Sequence, residues 1–93
     1  MRINGIEYNL IYKNSQDMNG SIGLADFNKQ EISINNEHTQ STQKIAILHE
    51  ILHILSDSYN LKLSEEQVIY TTHALLAFMS DNKFFITEYM EGL

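Results

Sequence analysis

Two histidines one helical turn apart, with a glutamate beside the first, are the residues of this sequence best suited to chemistry. The segment His49-Glu50-Ile51-Leu52-His53 reads HExxH. On an α-helix, residues four apart lie on the same face, so both imidazoles can bind a single Zn²⁺. Glu50 lies beside that point, where a carboxylate can take a proton from a metal-bound water. The motif therefore predicts a zinc site with Glu50 as the general base.

The alternative is that these residue types fell at this spacing by chance. The surrounding sequence argues against chance, because the chain between Ile45 and Leu55 is otherwise apolar. Such a helix is largely buried, and buried imidazole or carboxylate groups without partners carry a large free-energy cost. A metal ion removes that cost. The chain has no cysteine, so any metal must be held by imidazole and carboxylate groups.

A catalytic zinc needs a third protein ligand and keeps its fourth position for water. Ser64-Glu65-Glu66-Gln67 is a capping-box pattern that opens a second helix, predicted to run to about residue 80. At about 100° per residue, Glu65 falls on the core-facing stripe of this helix, and Glu66 points about 100° away. The stripe consists of Val68, Ile69, Thr72, Leu75, Leu76 and Met79. We expect Glu65 to be the third ligand, although a first-turn acid also stabilises a helix N-terminus without metal.

Several weaker candidates stay open. Glu66 and His73 lie near each other at the edge of the second helix, and each is an alternative third ligand. Asp57 follows His53 by four residues, which suits either a hydrogen bond that orients the imidazole or a solvated helix end. His38 is interpreted as an ordinary loop residue. Three tyrosines can offer a hydroxyl to an oxyanion, but aromatic residues in small domains usually pack in the core: Tyr59, Tyr70 and Tyr89.

The first third of the chain is predicted to form strands and the remainder helices. Predicted strands cover residues 2–12, 22–27 and 31–35, with turn residues at 14–20 and a hairpin connection at 28–30. Thr39 or Ser41 can cap the HExxH helix, which runs to about residue 58. A short third helix is predicted at residues 83–91. This order predicts an α+β domain in which a three-stranded antiparallel sheet packs on the HExxH helix and on the second helix.

Composition narrows the possible functions. The 93 residues suit one domain, covering 1–93, and a 43% apolar share predicts a packed core. The net charge is −6 and the six basic residues are scattered singly, so we expect no nucleic-acid partner. No apolar run approaches the ~20 residues of a membrane span, and the first residues lack the apolar core of a signal peptide. We therefore expect a soluble, cytoplasmic protein with no membrane partner.

Three segments carry a family resemblance. They are residues 23–27 (GLADF), Glu31-Ile32-Ser33-Ile34, and the HExxH helix from Gln43 to His53. The sequence resembles small phage and prophage zinc metallopeptidase-like proteins related to the ImmA/IrrE group of gluzincins. Glu65-Glu66-Gln67-Val68 resembles the acidic helix start of that group, and Asp81-Asn82 its closing pair. The longer metzincin motif is absent, because Ser56 and Tyr59 stand where its glycine and third histidine would be.

The resemblance implies a zincin-like fold, zinc held by His49, His53 and a glutamate that maps to Glu65, and Glu50 as catalytic base. The leading hypothesis is therefore a zinc-dependent peptidase that hydrolyses peptide bonds in a peptide or protein substrate. We expect the substrate to pair with an exposed sheet edge formed by Glu31–Asn35. The alternative is a non-catalytic, zinc-containing protein-interaction module of phage or prophage origin. The chain lacks the extra segments of larger members, which favours this alternative.

Overall fold

The computed structural model describes all residues, 1–93, and confirms the α+β class with five strands followed by three helices. The elements are β1 (Arg2–Ile3), β2 (Ile6–Glu7), β3 (Asn9–Lys13), β4 (Gly23–Asp26), β5 (Glu31–Asn35), α1 (Gln40–Ser58), α2 (Glu65–Asp81) and α3 (Lys83–Met90). None of the helices is both long enough and apolar enough to cross a membrane.

The first predicted strand, residues 2–12, is not continuous. It divides into a small hairpin, β1 paired with β2, and the separate strand β3. The break lies at Asn4 and Gly5, whose φ angles are 51° and 76°. Asparagine followed by glycine favours such positive φ values, and a two-residue turn of this kind folds the chain back on itself. The Asn-Gly pair was therefore a turn signal inside an apparently continuous strand pattern.

The main sheet has three strands in the order β3-β5-β4. β4 pairs antiparallel with β5, with Gly23 opposite Ile34 and Asp26 opposite Glu31. β3 pairs parallel with β5, with Asn9 opposite Glu31. The prediction of an all-antiparallel sheet is therefore wrong for the β3–β5 pair. After β3 the chain passes through the turns at residues 15–20 and forms β4, and β5 then lies between β3 and β4. β5 is therefore parallel to β3 and antiparallel to β4, which makes the sheet mixed.

The strand order also corrects the predicted substrate-binding edge. β5 lies in the centre of the sheet, so Glu31–Asn35 has both hydrogen-bonding sides occupied and offers no edge. Four of its five residues are buried, as a central strand requires. The free edges of this sheet are β3 and β4.

The core lies between the sheet and α1. Ile32 and Ile34 of β5 and Ile54 of α1 are fully buried. Ala46 of α1 and Tyr8 join the same cluster. Burying an isoleucine side chain contributes about 1.5–3 kcal/mol, so these contacts hold α1 firmly across the sheet. They fix which face of α1 remains available for the HExxH side chains.

The two long helices begin where the sequence predicted. Thr39 is the N-cap of α1, and its hydroxyl accepts a hydrogen bond from the Thr42 N–H. Ser64 is the N-cap of α2 and forms the predicted capping box with Gln67. Between the helices, the buried Ser56 hydroxyl accepts a hydrogen bond from the Leu63 N–H at 2.9 Å. This bond ties the approach to α2 onto the last turn of α1.

The prediction that the sheet packs on the second helix is wrong, because α2 packs on α1 and α3 and contacts no strand. Val68 and Thr72 are buried in this contact, and the Thr72 hydroxyl donates a hydrogen bond to the Val68 carbonyl at 2.7 Å. The predicted stripe is correct in its centre, but Ile69 and Leu75 are exposed at 39% and 40%. α3 packs only on α2 and has no buried residue.

Candidate metal centre

His49 and His53 project from the same face of α1, as their spacing predicted. Their Nε2 atoms lie 3.1 Å apart, and the rings meet edge to face with centroids separated by 4.8 Å. The side chains are 20% and 30% exposed, so both imidazoles stand at the rim of the core. Two nitrogen atoms therefore face a common point at the surface of α1.

Glu65 approaches the two histidines from the first turn of α2. Its Oε1 lies 2.8 Å from Nε2 of His49, and its Oε2 lies 2.8 Å from Nε2 of His53. The burial of Val68 and Thr72, three and seven residues later, turns Glu65 toward α1. The capping box fixes where the helix begins, and the interhelical contact fixes its rotation. Glu65 therefore lies where the helical stripe placed it.

The three side chains fit a metal ion. One ligand atom from each of His49, His53 and Glu65 lies within 4.8 Å of the others. Two nitrogen ligands about 2.0–2.1 Å from a tetrahedral zinc would stand about 3.3 Å apart, close to the separation of the two Nε2 atoms. Two imidazoles and one carboxylate make a three-ligand set that leaves a coordination position open. The cluster can hold a metal ion.

Glu50 lies beside this cluster rather than in it. Its Oε2 is 4.0 Å from Nε2 of His49, and the residue is only 8% exposed. The carboxylate lies close to β4, beside the Ala25 backbone and within contact distance of a Cβ built on Gly23. This placement suits a group that acts on a molecule bound at the metal rather than on the metal itself.

The surroundings of Glu50 raise the pKa of its carboxyl group. Burial raises the pKa of this carboxyl above its ordinary value, and the negative charge of Glu65 adds to the increase. His49, His53 and the Ala25 N–H oppose it. A buried carboxyl with a raised pKa holds a proton more readily than a surface glutamate, which is the property that a general base needs in order to return its proton.

β4 presents an open edge next to Glu50. The Ile22 carbonyl accepts a hydrogen bond from the Asn35 N–H at 2.8 Å. Because antiparallel ladders alternate, the N–H and C=O groups of Gly23 and Ala25 then point away from β5. Gly23 also lies close to Glu50, since a Cβ built on it would stand 3.2 Å from Cγ of that side chain. Backbone groups of β4 and the carboxylate of Glu50 thus border the same space.

A cavity of about 370 Å³ extends from this space along α1. It lies between the first residues of β4 and the N-terminal half of α1, with His49 and Glu50 at one end. Sequence reasoning did not predict this cavity or the contributions of Gly23 and Ala25. A glycine inside a strand can signal a close approach of another group, and Gly23 was the one available sign.

The structure does not bring the weaker candidates to the cluster. Glu66 and His73 are both exposed on α2, outside the group of converging ligand atoms. Asp57 is exposed at the end of α1, and His53 makes its polar contacts with His49 and Glu65 instead. His38 is half-buried before α1, where its carbonyl accepts a hydrogen bond from the Gln43 side chain. The three tyrosines are more than half exposed: Tyr59, Tyr70 and Tyr89.

Comparison with protein-family models, with curated proteins and with solved structures finds no match to this chain. What can be said of its function therefore depends on the geometry of the site.

Proposed function

We propose that this protein is a zinc-dependent peptidase with a zincin-like fold, in which His49, His53 and Glu65 hold the metal and Glu50 is the general base. The observation that carries the proposal is the convergence of the three ligand side chains next to a buried carboxylate that is not a ligand. The family resemblance of the HExxH helix to phage and prophage gluzincins is consistent with it.

The ligand set favours zinc. Imidazole and carboxylate ligands with an open position suit Zn²⁺, although two histidines and a carboxylate also bind Fe(II) in another class of enzymes. The adjacent Glu50 distinguishes the two, because a proton acceptor beside the metal serves hydrolysis. When bound, zinc supplies Lewis-acid activation of a water molecule and of the substrate carbonyl.

Glu50 moves the proton of the reaction. It accepts a proton from the attacking water as the water oxygen bonds to the scissile carbonyl carbon. It then donates that proton to the nitrogen of the leaving amine as the carbon–nitrogen bond breaks. Water and one peptide bond give one carboxyl group and one amine. The raised pKa of Glu50 suits both steps, since the group must hold the proton between them.

The edge of β4 is the proposed binding site for the substrate backbone. The N–H and C=O groups of Gly23 and Ala25 are unpaired within the sheet and lie beside Glu50. An extended peptide can add to such an edge as another strand, which places its carbonyl groups at a defined distance from the catalytic residues. This proposal replaces the central strand β5 with the edge strand β4.

A test compares the zinc-loaded protein with the Glu50→Gln and Glu66→Gln variants on a mixture of unstructured peptides, with products identified by mass spectrometry. The wild-type protein is expected to cleave peptides. The Glu50→Gln variant should cleave them at least about 100-fold more slowly, because the amide cannot accept the proton. Glu66→Gln, with its exposed side chain, should cleave normally. Equal cleavage by Glu50→Gln and the unchanged protein would refute the role of Glu50.

A second candidate function is a zinc-containing protein-interaction module, and one observation favours it. Phe78, Phe85 and Tyr89 form a row across α2 and α3, with ring centroids 6.4 and 6.0 Å apart. All three side chains are more than 40% exposed. Aromatic residues exposed together often mark contact surfaces. A metal-loaded protein that cleaves no peptide in the test above would support this function over the peptidase.

A further inference from the structure

We propose that the free edge of β3 is a second peptide-binding site, and that it binds an extended segment of a partner protein that carries an acidic side chain. The proposal does not depend on the peptidase function. β5 separates β3 from β4, so a strand added to β3 lies three strand spacings, about 14 Å, from β4. A peptide at this edge is held away from Glu50, and the site binds it without cleaving it.

The backbone of β3 has unpaired hydrogen-bonding groups at Leu10 and Tyr12. The Asn9 N–H donates a hydrogen bond to the Gln30 carbonyl at 2.9 Å, so the odd-numbered residues of β3 are the ones that bond to β5. Because orientation alternates along a strand, the N–H and C=O groups of Leu10 and Tyr12 point away from β5. No other strand pairs with β3. Two donors and two acceptors are therefore open to an added strand.

The chain itself shows which direction an added strand takes. Tyr8, just before β3, donates its N–H to the Met1 carbonyl at 2.7 Å, and the Met1 nitrogen donates to the Tyr8 carbonyl at 2.9 Å. Two residues that exchange both bonds form the hydrogen-bonded pair of an antiparallel ladder. The backbone groups of Leu10 and Tyr12 repeat the orientation of those of Tyr8. A peptide antiparallel to β3 therefore continues the line of β1 along the same edge.

A cavity of about 410 Å³ lies beside this edge, between β3 and α1. Tyr12 borders it from β3, on the face of the sheet where its neighbour Ile34 is buried in the core. A peptide residue opposite Tyr12 projects its side chain toward that same face, and so toward the cavity. The lining residues of α1 share a helical face about 150° round from the two histidines. They are Gln40, Gln43, Lys44 and Ile47.

Lys44 decides which side chain suits the cavity. It is the only charged residue of the lining, although the protein as a whole carries a net charge of −6. Lys44 is exposed and forms no ion pair within the protein. The exposed Gln40 adds an amide donor on the same side of the cavity. A carboxylate can accept hydrogen bonds from both groups, and a bond from the ammonium group is of the stronger, charge-assisted kind.

The experiment uses zinc-loaded Glu50→Gln protein, chosen so that no probe is cleaved, and three capped peptides of nine residues. Thr and Val alternate in each peptide, and the central residue is Glu, Gln or Lys. Binding is measured by fluorescence anisotropy at low ionic strength, where exposed charges are least screened. We expect the Glu peptide to bind about three- to fivefold more tightly than the Gln peptide, and the Lys peptide to bind least.

Two further measurements locate the peptide. Lys44→Glu reverses the charge at an exposed position, so it should reverse the order of the Glu and Lys peptides. Lys83→Glu, exposed at the start of α3, is the matched control and should leave the order unchanged. In hydrogen exchange followed by NMR, the amide protons of Leu10 and Tyr12 should exchange at least about tenfold more slowly in the complex than in the free protein.

The proposal is overturned if none of the peptides binds, or if Lys44→Glu leaves their order unchanged. Slower exchange confined to Gly23 and Ala25 would place the peptide on β4 and would also overturn it. If Leu10 and Tyr12 are already protected in the free protein, and that protein sediments as a dimer, a second copy of the chain occupies the edge instead.

Discussion

Gly23 and Glu50 are packed so closely that a methyl group on the glycine would displace the glutamate side chain by a few tenths of an ångström. A Cβ on Gly23 would stand 3.2 Å from Cγ and 3.4 Å from Oε2 of Glu50. The φ angle of Gly23 is not positive, so the backbone itself accepts other residues. Because Gly23 has no side chain, the Glu50 carboxylate can lie against β4.

The Gly23→Ala variant is expected to lower kcat/KM about tenfold while leaving zinc affinity unchanged. The added methyl group displaces Glu50 by a few tenths of an ångström, less than the 1 Å misplacement that can cost about a hundredfold. Gly92→Ala is the control, because nothing lies within 4 Å of a Cβ at that position. Peptide cleavage and competition with a zinc chelator measure the two quantities. A loss of zinc affinity equal to the loss of cleavage would contradict the assignment of Glu50 as base.

Replacing each of the two adjacent glutamates separately tests the third ligand. Glu65→Gln exchanges an anionic oxygen 2.8 Å from each imidazole for a neutral amide, so zinc affinity should fall by about a hundredfold or more. Glu66→Gln alters an exposed side chain outside the cluster and should change the affinity little. Titration against a zinc-buffering chelator gives both values. The reverse order of effects would show that α2 is rotated by one residue.

The Glu50 carboxyl should reduce the stability of the metal-free protein at neutral pH. Burial raises its pKa above the unfolded value of 4.5, so the native state binds the proton more tightly than the unfolded state does. The associated stability is present below pH 4.5 and is lost as pH rises through the native pKa. Relative to the wild type, metal-free Glu50→Gln should therefore gain stability as pH rises from 4 to 8. Urea unfolding at several pH values measures this difference, and a growing deficit in the variant would contradict it.

The hydrogen bond between Ser56 and the Leu63 backbone should matter for both folding and metal binding. Ser56→Ala leaves the Leu63 N–H without its partner and should cost about 1–3 kcal/mol of stability. Zinc affinity should fall as well, since this bond anchors the segment that leads to Glu65. Ser80→Ala, at an exposed position of α2, is the control. Denaturant unfolding and zinc titration of both variants decide whether Ser56 contributes to both.

More of the candidate site than of the sheet topology could be predicted from the sequence. Helix geometry has a fixed period, so the position of Glu65, rather than Glu66, beside the two histidines followed from the burial of Val68 and Thr72. Ser64 fixed the start of the helix. Strand order has no such local signal. The parallel pairing of β3 with β5 depends on the route of residues 14–22, and that route decides that β4, not β5, forms an edge beside Glu50. The cavity could not be predicted from the sequence either, because it forms only where β4 meets α1.

The measurement that tests the central claim most directly is the metal content of the purified protein after loading with zinc and removal of the excess. The unchanged protein and a His73→Ala control should each retain about one zinc ion per chain, and the ion should raise the melting temperature because the unfolded chain has no formed site. His49→Ala and His53→Ala should each retain almost none, since either substitution removes one of the two nitrogen ligands. If the wild-type protein retains no zinc, or if the histidine variants retain as much zinc as the wild type, the proposal that this is a zinc protein is contradicted.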